Sequence, residues 1–199
     1  MNRIITIGRE FGSGGRELGR RLAQQLSIAY YDKEILSEIA NRTAFSEQYI
    51  QQVVEQPPAA LFPITIGQTL YARMDPVLEQ SQSIYQQQRS IIIEMAEKSD
   101  CVIVGRCADY ILRDHNPFRI FVYAQLESKL ARCKEKAPAE EHLTDKKLAQ
   151  KIRTIDKNRA KYYEFYTGQV WGDKMNCDLC VNTTNTSIKE LASVLAKLF

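Results

Sequence analysis

Five short apolar runs punctuate the chain, and each leads into a stretch with apolar residues at helical spacing. Ile4 to Ile7 is β-branched and reads as a buried strand. Leu18, Leu22 and Leu26 then recur every four residues, marking one face of a helix. The remaining runs are Ala29–Tyr31, Cys101–Val104, Arg119–Tyr123 and Leu179–Asn182. Strands that alternate with helices predict a parallel sheet covered on both faces, in a three-layer α/β domain.

A long helical insertion separates the second strand from the third. Ser46 is suited to cap a helix that ends before Pro57-Pro58. Asp75-Pro76 reads as cap and first residue of a second helix reaching about Lys98, with Val77, Ile84, Ile91 and Met95 on its apolar face. Pro57–Arg73 is the least regular part and reads as a connector.

Composition narrows the picture only modestly. A length of 199 residues fits one domain, and 44% apolar with 26% charged residues is ordinary for a globular protein. The net charge of +3 is too small to argue for nucleic acid by itself. No run approaches the ~18 apolar residues of a membrane span, and the N-terminus carries no apolar signal segment. A cytoplasmic location without membrane contact is therefore expected. The five cysteines (Cys101, Cys107, Cys133, Cys177 and Cys180) follow no disulfide framework and read as reduced thiols. Cys177-x-x-Cys180 lacks a second Cys or His pair and is not read as a metal site.

The stretch IGREFGSGGRELG, residues 7–19, places five glycines in thirteen positions between the first strand and the first helix. Such a loop binds phosphate because glycines let successive N–H groups converge on an anion at a helix N-terminus. Gly12, Gly14 and Gly15 supply the permissive backbone and Ser13 a hydroxyl. The lysine that normally reaches the outer phosphates is missing. If Gly14 precedes the lysine's place, Gly15 occupies it. If Arg16 is the cation, the spacing shifts by one and Glu17 takes the place of the usual Ser/Thr. Arg16 is expected to stand in for the lysine, with Arg9 as the competing candidate. A glycine-rich turn without a ligand is the alternative.

Two further stretches carry candidate chemistry. CVIVGRCADYIL, residues 101–112, puts Gly105-Arg106 just past a strand's carboxyl end, where ligands of parallel α/β sheets bind. Arg106 is thus placed for an anion, the alternative being a surface pair with Asp109. Between Lys146 and Lys161 there are seven Lys/Arg and one acidic residue, Asp156. Helical spacing sets Ile152, Asp156, Arg159 and Tyr163 on one face, so that Asp156 can orient Arg159 toward a phosphate. A solvated face is the alternative. A nucleic-acid reading, drawn from the neighbouring Tyr162, Tyr163 and Tyr166, ranks behind both.

Taken in order, ITIGREFGSGGRELG, YYDKEIL, CVIVGRCADYIL, IFVYAQLESKLARC and IDKNRAKYYEFYTGQVWGD resemble the cytidylate kinase-like family of P-loop nucleoside monophosphate kinases. The resemblance spans residues 4 to about 183. It implies one P-loop NTPase domain with a five-stranded parallel sheet. The core would be residues 1–32 and 99–199, the helical NMP-binding insertion about 33–98, and a short lid about 132–143. It further implies phosphoryl transfer from ATP to CMP or dCMP, with Mg2+. Arg106 would contact the acceptor monophosphate, Arg159 and Asp156 would serve phosphate and acceptor, and Arg132 would be a lid cation near the donor. Asp32 and Asp109 fall on the acceptor side. A different small-molecule acceptor, or a nucleotide-binding regulator without turnover, are the rival functions.

Overall fold

The run at Ile4–Ile7 extends to form β1, Ile4–Arg9, and becomes the middle strand of the sheet. Strand β2 (Ala29–Tyr31), β3 (Cys101–Val104), β4 (Phe118–Tyr123) and β5 (Leu179–Asn182) complete the order β2-β3-β1-β4-β5. All neighbours are parallel, with Ile5 opposite both Val102 and Phe118. The helices, in chain order, are α1 (Gly15–Leu26), α2 (Glu34–Arg42), α3 (Glu47–Glu55), α4 (Pro76–Lys98), α5 (Ala108–Ile111), α6 (Leu126–Lys136), α7 (Asp145–Thr167) and α8 (Ile188–Leu195). The computed structural model describes residues 2–56, 76–137 and 143–199.

Period-two alternation explains how the short strands serve two helical layers. Ile5, Ile7, Val102, Val104 and Val122 pack with Leu18 and Leu22 of α1 and Ile188 and Ala192 of α8. Ile4, Cys101 and Ile103 point the other way, into a core built with α2, α3, α4, α5 and α7. Both faces are covered, so the strands read as nearly continuous apolar runs. Helix α1 lies close on the sheet: a Cβ on Gly19 would come within 2.9 Å of Val104 Cγ2 and 3.0 Å of Ile7 Cδ1. Because β1 is flanked by β3 on one side and β4 on the other, the crevice beyond its carboxyl end is a topological switch point.

Most of the element boundaries match the sequence reading, and three expectations change. The Ser46 hydroxyl accepts the Tyr49 N–H at 3.3 Å and caps α3 as expected. Helix α4 runs from Pro76 to Lys98, but Val77 is 51% exposed; its inward face is Leu78, Ser81, Ile84, Tyr85, Gln88, Ile91 and Ile92. The Pro57–Arg73 connector and the Asp75 cap lie outside the described residues, as does the 138–142 part of the expected lid. Arg132 to Lys136 are the last residues of α6. Tyr162 and Tyr163 are buried, and Tyr166 stacks on Tyr85 at 4.0 Å, so these rings are core groups rather than a platform for bases. Among the described residues, no helix is long and apolar enough to cross a membrane.

Leu22 sits fully buried between α1 and the sheet, whereas Val194 on α8 is 61% exposed. Leu22→Ala is expected to lower unfolding free energy by about 2–5 kcal/mol. Val194→Ala is expected to stay within about 0.5 kcal/mol of the parent. Urea denaturation of the three proteins checks this, and equal losses would mean that α1 is not seated as described.

Candidate functional site

The glycine loop joins the end of β1 to the first turn of α1. Gly12 and Gly14 adopt positive φ values of 75° and 83°, which residues with a Cβ rarely tolerate. The loop is also tightly backed. A Cβ on Gly12 would lie 3.0 Å from Cys133 Sγ and 3.1 Å from Lys129 Cβ, both on α6. A Cβ on Gly14 would lie 2.7 Å from Ile188 Cδ1 at the start of α8. The Gly15 N–H donates to the Ser13 hydroxyl oxygen at 3.4 Å, and the N–H groups of Arg16 and Glu17 belong to the first turn of α1, the end that favours anions.

Side chains from distant elements hold this loop. Lys129, only 7% exposed, reaches Glu10 Oε2 at 2.6 Å and Asp156 Oδ2 at 3.1 Å. The other Asp156 oxygen accepts the Phe11 N–H at 2.6 Å. On the far side, the Thr183 hydroxyl donates to the Ser13 carbonyl at 2.6 Å. Arg132 donates to Thr183 Oγ1 at 3.2 Å and to the carbonyls of Thr183 and Thr186. Asp156 therefore anchors the loop backbone; its distance to Arg159 is 3.9 Å. Ser13 is corrected as a donor-binding group. Its hydroxyl is fully buried, donating to Glu10 O at 2.8 Å, and its N–H is directed at the same carbonyl at 3.4 Å.

Four arginines converge beside the loop. The Arg9 side chain leaves the end of β1 and is only 12% exposed. Burial, reinforced by Arg159, Arg106 and Arg16, pushes its guanidinium down to about 9, and Asp32 opposes the shift. Asp32 is 3% exposed and lies 2.6 Å from Arg16 Nε and 3.9 Å from Arg9 Nη2. Arg16 is 53% exposed, on the rim of the group. Arg159, from α7, donates to the Arg9 carbonyl at 3.4 Å and stands 5.7 Å over the Phe11 ring. Arg106 follows β3 in a left-handed run, with φ of 73° at Gly105, 60° at Arg106 and 55° at Cys107. Buried Gln88 of α4 donates to the Arg106 carbonyl at 3.0 Å and holds that turn.

Two cavities meet at this cluster. A cleft of about 1110 Å³ is bordered by Gly12, Gly14, Gly15, Arg16, Glu17, Asp32, Arg132 and Arg159. A small cavity of about 60 Å³ is bordered by Arg106, Asp109, Arg159, Tyr162 and Tyr163. Arg9 and Arg159 border both. The expected site residues are thus brought together, except that Ser13 and Asp156 lie behind the loop. Asp109 accepts the Tyr163 hydroxyl at 2.6 Å instead of pairing with Arg106, and burial raises its pKa. Glu17 is engaged by Arg21 at 2.9 Å and Lys136 at 2.6 Å, both of which contribute to depressing its pKa.

The donor set does not fit a magnesium ion held by protein ligands. The Ser13 hydroxyl is turned inward, and the neighbouring carboxylates Glu10, Glu17, Asp32 and Asp156 are each engaged by Lys or Arg. No cluster of three or more His, Cys, Asp or Glu suited to a metal occurs among the described residues. Sequence reasoning missed Lys129, Glu10, Gln88 and Thr183. Lys129 had one signal: it shares a helix face with Leu126 and Cys133, an inward stripe where a lysine is out of place.

With this geometry in hand, comparisons identify relatives. A model of the cytidylate kinase-like family matches residues 4–185. An uncharacterized protein from Eubacterium ventriosum, known as a crystal structure, is 28% identical with a TM-score of 0.71, covering 99% of this chain and 98% of that one. Shikimate kinase from Acinetobacter baumannii, in complex with shikimate, superposes at TM-score 0.55 with 16% identity over 100% of this chain and 92% of its own. Shikimate kinase from Aquifex aeolicus does so at 0.52 with 18% identity, covering 98% and 96%. These kinases share the fold. No curated protein matches the sequence.

Lys129 is the cation that keeps two carboxylates together beneath the loop. Lys129→Met is expected to cost about 3 kcal/mol at neutral pH, since it strands a largely buried charge. Burial already raises the Asp156 pKa, and loss of Lys129 raises it further. A carboxyl raised in the folded state destabilises above that folded pKa and has no such effect below its unfolded value of about 3.9. The deficit should therefore shrink as pH falls toward about 4. Denaturant titrations across this range check it, and a pH-independent deficit would contradict the arrangement.

Proposed function

The chain belongs to the cytidylate kinase-like family, and we propose that it transfers a phosphoryl group from ATP to a nucleoside monophosphate, CMP or dCMP. The observation that supports this reading is the convergence of Arg9, Arg16, Arg106 and Arg159 at the sheet's carboxyl edge, beside the glycine loop. A monophosphate acceptor brings a nucleophilic oxygen that is already ionised, so it needs charge neutralisation rather than a base. Among the described residues no histidine borders either cavity, and the cleft borders the open first turn of α1.

In this reading the N–H groups of Gly12 and Gly14 and those of Arg16 and Glu17 in the first turn of α1 hold the donor phosphates. Arg106 and Arg159 lie around the transferring group and offset its charge, which is where most of the catalysis of phosphoryl transfer resides. Arg132 braces the loop from behind, and Asp32 orients Arg16 at the rim. Helices α2, α3 and α4 form the acceptor side of a single kinase domain. Magnesium arrives on the nucleotide's own phosphates, and no protein ligand is assigned to it.

The test is ADP formation from ATP across a panel of nucleoside monophosphates. Acceptor-stimulated turnover is expected, with CMP or dCMP the best substrate. Arg159→Ala is expected to lower kcat by about 10²–10³-fold, whereas Lys161→Ala, on the exposed face of α7, should change it little. ATP binding with no stimulation by any monophosphate would favour a regulatory protein. Turnover with a non-nucleotide alone would move the acceptor to another class.

A further inference from the structure

The place of the missing lysine has a physical occupant. In the pattern G-x-x-x-x-G-K, with Gly14 as the second glycine, the lysine falls on Gly15 and the first glycine falls on Arg9. Gly15 is the first residue of α1 and, unlike Gly12 and Gly14, is not left-handed. Nothing in its backbone requires glycine, which costs about 1 kcal/mol relative to alanine within a helix. Space does. A Cβ on Gly15 would lie 2.5 Å from Arg9 Cβ and 3.2 Å from its Cγ. Farther along the same side chain, a Cβ on Gly105 would lie 1.7 Å from Arg9 Nη1 and 2.6 Å from Cζ. The stem of Arg9 therefore passes against Gly15, and its guanidinium covers Gly105. The two glycines form a bed for one arginine.

We propose that Arg9 is the phosphoryl-binding cation of this site, doing from the end of β1 what a lysine at position 15 would do from the loop, with Gly15 as its obligatory partner. As a catalytic group it rests on the kinase reading above. Its guanidinium spans the glycine loop and the Gly105-Arg106 turn, and Arg9 borders both cavities. It reaches the donor side and the acceptor side at once. Arg16 is less suited, being half exposed and drawn to Asp32 at 2.6 Å. Asp32 stands 3.9 Å from Arg9, too far for a close pair, which leaves the Arg9 head available to an anion.

The exchange of positions makes a specific test. Wild type, Arg9→Ala, Arg9→Gly, Arg16→Ala, Gly15→Lys and the double variant Arg9→Gly/Gly15→Lys are compared for tripolyphosphate binding by calorimetry, for melting temperature, and for turnover with ATP and the monophosphate panel. Wild type should bind tripolyphosphate, and Arg9→Ala should weaken that binding and slow turnover by about 10²–10³-fold. Gly15→Lys alone should lower the melting temperature, because the new Cβ collides with the Arg9 stem. The double variant should melt above Gly15→Lys and bind tripolyphosphate more tightly than Arg9→Gly, because glycine at position 9 removes the Cβ that the new side chain meets at 2.5 Å, the non-additivity expected of side chains in contact.

Unchanged binding in Arg9→Ala would overturn the inference, as would a double variant no better than its parents or a wild type that ignores tripolyphosphate. If turnover survives Arg9→Ala but is lost in Arg16→Ala, the inference fails while the kinase reading stands. If tripolyphosphate binding depends on Arg9 but no monophosphate stimulates turnover, the reading of function fails and the assignment of Arg9 stands.

Discussion

The Lys129 ammonium, held between Glu10 and Asp156, is the contact on which the site's shape depends. A loop of glycines has little stiffness of its own and loses much conformational entropy when fixed. Here the order is imposed from outside. Lys129 and Asp156 fix Glu10 and the Phe11 N–H from α6 and α7, while Thr183 and Arg132 fix the Ser13 carbonyl from the opposite side. Because α7 also delivers Arg159, one ion-pair network sets both the loop and one of its arginines. A salt bridge of this kind adds modest net stability, since desolvation offsets its attraction. Its value is positional.

The second organising feature is the convergence of four arginines. Arginines from β1, α1, the turn after β3 and α7 meet beside the glycine loop, and burial first, then the neighbouring arginines, makes the Arg9 guanidinium less basic. That arrangement works against folded stability until an anion arrives, the usual relation between a binding site and the fold that carries it. On the proposed function, a bound phosphate offsets part of that repulsion. The neighbouring acidic groups are each engaged by a cation, Asp32 by Arg16, Glu10 and Asp156 by Lys129, and leave no ready metal cage among the described residues.

The strands, their alternation with helices and the limits of α3 and α4 were legible in the sequence, the strands because two-sided burial writes itself as uninterrupted apolar runs. Arg106, Arg159 and the glycines were legible because each follows a strand end or shares a helical face. Other features depend on contacts that no local pattern encodes. The Ser13 hydroxyl faces inward because the Glu10 carbonyl is three residues away and the cleft side of the loop is taken by backbone. Asp156 serves the loop rather than Arg159 because Phe11, 145 residues earlier, presents a closer donor. The Arg9 path became visible only once Gly15 and Gly105, ninety positions apart, were seen against one side chain. Val77 missed its face because apolar spacing fixes a helical stripe only to within a neighbouring residue.

The Thr183 hydroxyl bonds to Ser13 across a separation of 170 residues, and Thr183 follows the last strand of the sheet. Contacts so remote in sequence are the slowest to form, since the intervening chain must first be closed into a loop. During synthesis the glycine loop emerges before Lys129, Asp156 and Thr183, with its clamp still unmade. Its strand is soon available, but Lys129, Asp156 and finally Thr183 follow at successive intervals. The glycine-loop end of the molecule is therefore held in place only once residues as late as Thr183 are folded, although its own sequence precedes all of them.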